Sequence, residues 1–403
     1  KNFLCFYPEI YLRVFYLSNI GVMFNMDYMK RALELAKKGI GYTNPNPLVG
    51  AVIVKEGRII GEGYHKVYGD NHAEINAFLN ATEDVKGATM YVTLEPCSHY
   101  GKTPPCAKAI VDKGIKKVVI GLKDPNTLVA GKGIKILQEA GIEVTVGVLE
   151  DEVRKLNEIF LKYITTKLPF VIMKTAMTLD GKIATCKNES KWITGELSRK
   201  YVHTLRHRMS GLMVGIGTIL VDNPYLTTRL GDSKGCDPTR IIVDSNARIP
   251  LDARVLNLES EAKTIIAVTE KANKEKIRIL KEKGAEVIIT PCKKERVDLT
   301  FLMKELAARK IDSILLEGGS QLNYSALEEG IVDKVNVFIA PKIIGGNTAK
   351  TPVGGLGIAH IKDAIALHNV NVQLFGKDIM IEGYIRKEGR NNVYGFGGGD
   401  RNS

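Results

Sequence analysis

The chain has 403 residues, 44% hydrophobic and 25% charged, with 57 basic against 45 acidic side chains and a net charge of +12. This is the composition of a folded globular protein long enough for two domains, not of a disordered chain. No stretch reaches the ~18–20 apolar residues of a membrane span. Six scattered cysteines argue against a disulfide framework and for a reducing cytoplasm. The basic excess favours anionic partners, nucleic acid or phosphorylated small molecules, although dispersed lysines also describe an ordinary solvated surface.

The first 25 residues are apolar and aromatic, but Pro8, Glu9 and Arg13 interrupt the run and no small-residue cleavage site follows. We read residues 1–25 as a non-native or disordered leader, with the working protein beginning near Met26. Asp27 then caps a helix, and two strands, LVGAVIV and RIIGEGYH, meet at a tight Glu56-Gly57 turn. His72 opens a second helix. The buried strand 88–94 delivers Glu95-Pro96-Cys97, and Pro104-Pro105 start a helix carrying Cys106. A strand, a KDPN turn, a helix and a strand complete an α/β sandwich over 26–149. Residues 150–168 read as one amphipathic connector helix. A second α/β alternation fills 169–388, and the Gly/Asn-rich tail 389–403 reads as disordered.

His72, Cys97 and Cys106 are the three soft-to-borderline ligands that a catalytic zinc takes while leaving a fourth position for water. Glu74, two residues from His72, is placed to move that water's protons, and no third cysteine nearby offers a structural fourth ligand. Water with its pKa brought toward neutrality attacks an amidine carbon, and Glu74 passes the proton to the departing amine.

HAEINA with TLEPCSHYGKTPPC resembles the cytidine-deaminase superfamily. Within it, the sequence is similar to the deaminase half of the bifunctional riboflavin-biosynthesis deaminase–reductases. Most superfamily members carry P-C-x-x-C. Here eight residues separate Cys97 from Cys106, the longer loop of the riboflavin enzymes. The resemblance implies a zinc deaminase whose pocket also uses Asn46, His65, His99, Lys102, Asp124 and Asn126. Lys102 suits a phosphate and Asn46 a pyrimidine edge or ribose. Asn46 and Asp124 also read as plain turn residues.

KTAMTLDGKIA followed by SKWITG resembles the reductase half of the same family, which shares its fold with dihydrofolate reductase. The implied cofactor is NADPH. No G-x-G-x-x-G lies at a first strand-to-helix turn, so a Rossmann-type site is not supported. The strand 314–316 running into Glu317-Gly318-Gly319 and a helix start is the better anion cradle. By resemblance, Lys174 stands at the substrate end as the catalytic cation. Ala176, Trp192, Thr218, Asp222, Ser245 and the run Gly319, Ser320, Gln321, Leu322, Asn323, Tyr324 and Ser325 match cofactor positions. Ser190, Arg206, Leu226, Arg229 and Glu317 match substrate positions, with Arg206 and Arg229 expected to clamp a phosphate through bidentate hydrogen bonds. Trp192 would by default be a core residue. His203 and His207, one turn apart, lack the Glu and third ligand of a metal pair and are assigned to helix surface.

The function expected is therefore bifunctional. Zinc-dependent hydrolysis of 2,5-diamino-6-(5-phosphoribosylamino)pyrimidin-4-one precedes NADPH-dependent reduction of the ribosyl group to 5-amino-6-(5-phosphoribitylamino)uracil. Phosphorylated pyrimidines are the expected partners, with no membrane and no nucleic acid, and a homo-oligomer is left open. The alternative is an RNA or nucleobase deaminase with an accessory reductase-like domain, which predicts a contiguous basic, aromatic-studded face.

Overall fold

The computed structural model describes residues 26–98, 104–126, 130–231 and 235–386. The expected leader and tail, and His99 and Lys102, lie outside the described residues. The chain divides between Thr165 and Thr166 into two compact units.

The first unit is a five-stranded sheet in the order β2-β1-β3-β4-β5. Its strands are β1 (Gly50–Lys55), β2 (Arg58–Tyr64), β3 (Thr89–Leu94), β4 (Lys117–Leu122) and β5 (Glu143–Val146). β1 runs antiparallel to β2 and β3, and β3, β4 and β5 are parallel. The central strands β1, β3 and β4 are buried on both faces, so each face needs its own cover. Ala51, Ile53, Met90, Val92, Val118 and Ile120 pack with Ala73 and Ala77 of α2 (Ala73–Leu79), Ala107 and Ile110 of α3 (Cys106–Asp112), and Leu137 of α4 (Lys132–Glu139). The alternate residues Val52, Val54, Tyr91 and Val119 pack with Met29, Ala32 and Leu35 of α1 (26–37). Period-two alternation in the sequence thus becomes a three-layer sandwich. A Cβ at Gly63 would fall 2.3 Å from the Ala73 carbonyl oxygen; its absence lets α2 close on β2.

The expected single connector is two helices, α5 (Glu150–Leu156) and α6 (Glu158–Thr166). They break at Asn157, whose side chain exchanges two hydrogen bonds with the Leu48 backbone, at 2.8 and 3.0 Å. Val153 and Leu161 join the core around Leu33, Leu94 and Leu122, so this segment is packed on the first unit. Burial of an amide that satisfies a distant backbone pair is not visible in helical periodicity.

The second unit is a nine-stranded sheet. In chain order its strands are β6 (Phe170–Thr178), β7 (Gly211–Gly215), β8 (Thr239–Val243), β9 (Thr264–Thr269), β10 (Glu286–Thr290), β13 (Ser313–Leu316), β14 (Lys334–Ala340), β15 (Leu367–Phe375) and β16 (Asp378–Ile385); β11 (Cys292–Lys293) and β12 (Arg296–Val297) form a separate hairpin. The spatial order is β10-β9-β8-β7-β13-β6-β14-β16-β15, parallel through β14 and antiparallel at its last two pairings. The helices are α7 (Glu196–Arg208), α8 (Ile216–Asp222), α9 (Lys274–Glu282), α10 (Leu299–Ala308) and α11 (Ser320–Glu328). Besides the β11–β12 hairpin, two of these elements were not expected. α8 follows β7 without a break, which hides a short helix behind a strand signal, and β15 is an edge strand with Asn369, Asn371 and Gln373 interleaved among its apolar residues.

Candidate functional site

In the first unit, β3 ends and Cys97 follows within three residues, α2 begins one residue after His72, and Cys106 is the first residue of α3. His72 Nδ1 lies 3.5 Å from Cys97 Sγ and 3.3 Å from Cys106 Sγ, and the Cys106 backbone N–H donates to Cys97 Sγ at 3.2 Å. All three ligand atoms lie within 4.8 Å of one another. Ligand bonds of about 2.0–2.3 Å at tetrahedral angles require spacings of this size, so the donor set fits zinc. Among the protein groups alone, hydrogen bonding with Cys106 brings the Cys97 thiol down to about 4, while Cys106 is pushed up. Hydrogen bonding to Cys97 lifts His72 to about 8. These groups are competing for protons that a divalent cation would displace.

Glu74 is only 3% exposed. Burial pushes its carboxyl up to about 7, a shift opposed by His72. Beside it, His65 Nδ1 lies 3.1 Å from the Asn71 carbonyl oxygen, so this nitrogen carries the proton and donates it. His65 Nε2 is then free to accept from the Asn46 amide at 3.1 Å. Burial lowers the pKa of the His65 ring, which favours this neutral form. The His65 and His72 rings meet edge to face, with centroids 5.6 Å apart. Asn46 is therefore an oriented side chain next to the ligand cluster and more than a turn former. Asp124 accepts the Asn126 backbone N–H at 2.8 Å, the geometry of an Asx turn.

The sequence pattern left Glu95 without a role. Its carboxylate accepts four backbone N–H groups, from Asp124, Gly131, Gly133 and Ile134, at 3.0–3.3 Å. A carboxylate at the start of α4 answers both the unpaired N–H groups and the helix dipole. A Cβ at Gly133 would stand 2.0 Å from the Pro96 carbonyl oxygen. Glu95 thereby ties the segment bearing Asp124 and Asn126 to the strand that delivers Cys97. An acidic residue before Pro-Cys was the only signal available.

In the second unit two clefts share a wall. One, of about 520 Å³, is lined by Lys174, Ala176, Ser190, Trp192, Arg206, Asp222, Arg229, Glu317 and Asn323. The other, of about 560 Å³, is lined by Ser190, Thr218, Asp222, Ser245, Glu317, Gln321, Leu322 and Ser325. Gly319 and Ser320 face both, where β13 runs into α11. Backbone N–H groups at this helix start and the hydroxyls of Ser190, Thr218, Ser245 and Ser320 suit a phosphate-bearing dinucleotide. Leu226 and Tyr324 are not among the residues lining either cleft. Leu226 is 3% exposed, and the Tyr324 ring lies against Gly355. Trp192 is 63% exposed at the cleft rim, under the Arg199 guanidinium at 4.5 Å, so it is not a core residue.

Glu317 sits between two cations. Its Oε2 is 3.2 Å from Lys174 Nζ, and its two oxygens receive Arg206 Nε and Nη2 at 2.7 and 2.9 Å. Burial pushes the Glu317 carboxyl up, and Arg206 and Lys174 overcome this and hold it below its ordinary value. Arg206 Nη1 donates to the Thr227 carbonyl at 2.9 Å. Of the two arginines expected to clamp a phosphate, Arg206 has its fork occupied by Glu317, and Arg229 lines the same cleft. Arg199, His203, Arg248, Arg296 and Lys350 also line the clefts; His203 was assigned to helix surface, and nothing in the local sequence distinguished the other four.

The fold and the two sites define a class, a zinc aminohydrolase unit joined to a dinucleotide-dependent reductase unit. Residues 24–122 match the cytidine and deoxycytidylate deaminase zinc-binding region, and residues 169–381 match the RibD C-terminal domain. The chain is 52% identical to the riboflavin biosynthesis protein RibD of Actinobacillus pleuropneumoniae, over 91% of this chain and 96% of that protein. It is 48% identical to the RibD of Aquifex aeolicus, over 88% and 97%. A crystal structure of the diaminohydroxyphosphoribosylaminopyrimidine deaminase/5-amino-6-(5-phosphoribosylamino)uracil reductase of Thermotoga maritima superposes with a TM-score of 0.81 at 41% identity, covering 91% of this chain and all of that one. The RibD of Acinetobacter baumannii superposes at 0.82 with 36% identity, over 91% of this chain and all of that one. The chain belongs to the RibD family of riboflavin biosynthesis and is a bifunctional deaminase–reductase that uses zinc and NADPH.

Proposed function

We propose that the first unit removes ammonia from 2,5-diamino-6-(5-phosphoribosylamino)pyrimidin-4-one and that the second reduces the ribosyl group of the uracil product. The observation that carries the deaminase half is Glu74, buried within the same pocket as three soft ligand atoms. His72, Cys97 and Cys106 would hold zinc, which supplies a Lewis acid and lowers the pKa of water. Glu74 takes the proton of the attacking water and returns it to the departing amine, a double role suited to a buried carboxyl beside the ligand cluster. Asn46, oriented by His65, meets the pyrimidine edge, and Asp124 and Asn126 border the pocket on the segment tied down by Glu95.

In the second unit NADPH supplies the hydride. Gly319, Ser320, Gln321, Leu322 and Ser325 with Thr218 and Ser245 would hold it. Lys174, kept in place by Glu317, presents its charge to the substrate atom that gains electron density when the opened sugar is reduced. Arg229 meets the 5-phosphate. We place the enzyme in the cytoplasm, supported by two thiolate ligands that need reducing conditions. Among the described residues no helix is long and apolar enough to cross a membrane.

Ammonia release, followed with and without NADPH on purified protein, tests this order. Ammonia should appear in both cases, with NADPH consumed only afterwards. Ammonia release that requires NADPH would overturn it.

A further inference from the structure

His203 and His207 stand one turn apart on α7, and the structure gives both a use other than helix surface. Three side chains of one face of α7 hold the segment that follows α8. The Arg229 backbone N–H donates to His203 Nδ1 at 3.2 Å, Arg206 Nη1 donates to the Thr227 carbonyl, and the Cys236 backbone N–H donates to His207 Nδ1 at 3.0 Å. Within the segment, the Thr228 N–H donates to Asp237 at 2.7 Å.

Of these contacts, those of His203 bear on the site. Its second nitrogen, Nε2, lies 3.4 Å from Arg229 Nη2. Both ring nitrogens therefore face N–H groups of one residue, and the ring and that residue line the same cleft. A neutral imidazole has one acceptor nitrogen and an imidazolium has none, so the backbone contact at Nδ1 requires the neutral ring with its proton on Nε2, and Nε2 meets the guanidinium as a neighbour and not as an acceptor. Burial, with Arg206 and Arg229 next, brings His203 from the usual 6.5 down to about 4, and Lys174 acts in the same direction against Glu317.

We propose that His203 is a positioning residue of the reductase, which as a neutral acceptor fixes the backbone of Arg229 and so places its guanidinium for the anionic group of the substrate. This rests on the reading of Arg229 as a phosphate ligand. An arginine on an untethered loop loses affinity to backbone ordering, and one whose backbone is held loses less.

The test is a cycle of H203A, H203N and R229A, reading reductase KM for the phosphorylated substrate, KM for NADPH and kcat. H203A should raise the substrate KM about tenfold, a loss of about 1.4 kcal/mol, with kcat and the NADPH KM unchanged. H203N, whose amide oxygen replaces Nδ1 as acceptor, should recover most of it, and H203A should add nothing to R229A. If R229A raises the substrate KM and H203A does not, or the two effects simply add, the His203 inference is wrong and the Arg229 reading stands. If R229A has no effect, the phosphate reading itself is overturned, and this inference with it.

Discussion

Lys174 Nζ stands 3.2 Å from Glu317 Oε2, with the two side chains only 14% and 9% exposed. A buried carboxylate that also receives the Arg206 fork locks the lysine's position, and it leaves two cations uncompensated if it is lost. Glu317→Gln should cost about 3–5 kcal/mol of stability, the penalty of breaking a buried ion pair from one side. Reductase turnover should fall with it. Denaturant unfolding and NADPH oxidation check both, and a variant of wild-type stability would show that the triad is solvated.

Glu95 makes a prediction for the other unit. Glu95→Gln replaces one acceptor oxygen with an amine, turning it against the N–H groups of Asp124 and Gly131 or of Gly133 and Ile134. Each orphaned buried donor costs about 1–3 kcal/mol. The KM for deamination should rise because the Asp124–Asn126 segment loosens, while zinc content and NADPH oxidation on deaminated substrate stay as in wild type. Gly133→Ala, with its Cβ driven into the Pro96 carbonyl, should be worse than Glu95→Gln in thermal unfolding.

The metal cluster separates the two activities. Glu74→Gln should lower ammonia release about 10²–10⁴-fold, the usual range for a lost acid–base group, with zinc still bound by metal analysis. Chelation should abolish ammonia release and spare reduction of deaminated substrate. Surviving turnover in Glu74→Gln would assign the proton to another group.

Burial and the neighbouring arginines lower His203 from 6.5 to about 4. A depressed histidine stays neutral in the folded state while the unfolded chain takes up a proton. Its share of stability is therefore complete above about 6.5 and is lost as pH falls toward about 4. The groups around the ring are Arg206, Arg229 and Lys174, with Glu317 opposing them. Compared over that window, wild type should lose more stability than H203N. Parallel pH curves for the two would contradict it.

Local chemistry settles what can be read without coordinates. Three ligands with a glutamate beside the first, central strands buried on both faces, and glycines between β13 and α11 are each specified within a few residues. From them follow a zinc deaminase unit, a two-layered cover for its sheet, and an anion cradle in a second α/β unit. Long-range pairing is different. Glu95 meets its four donors 29 to 39 residues later, and Arg206 meets Glu317 across 111. Arg206 was read as a phosphate ligand because an arginine's partner is whichever anion the fold brings to it, and here a buried carboxylate arrives first. Asn157 broke a helix for the same reason, by answering Leu48 across 109 residues. The sequence alone determined the class of the protein and pointed to the groups expected to carry its chemistry. Tertiary structure decided which of them are already paired, because hydrogen-bond and charge compensation in a buried site depend on neighbours in space.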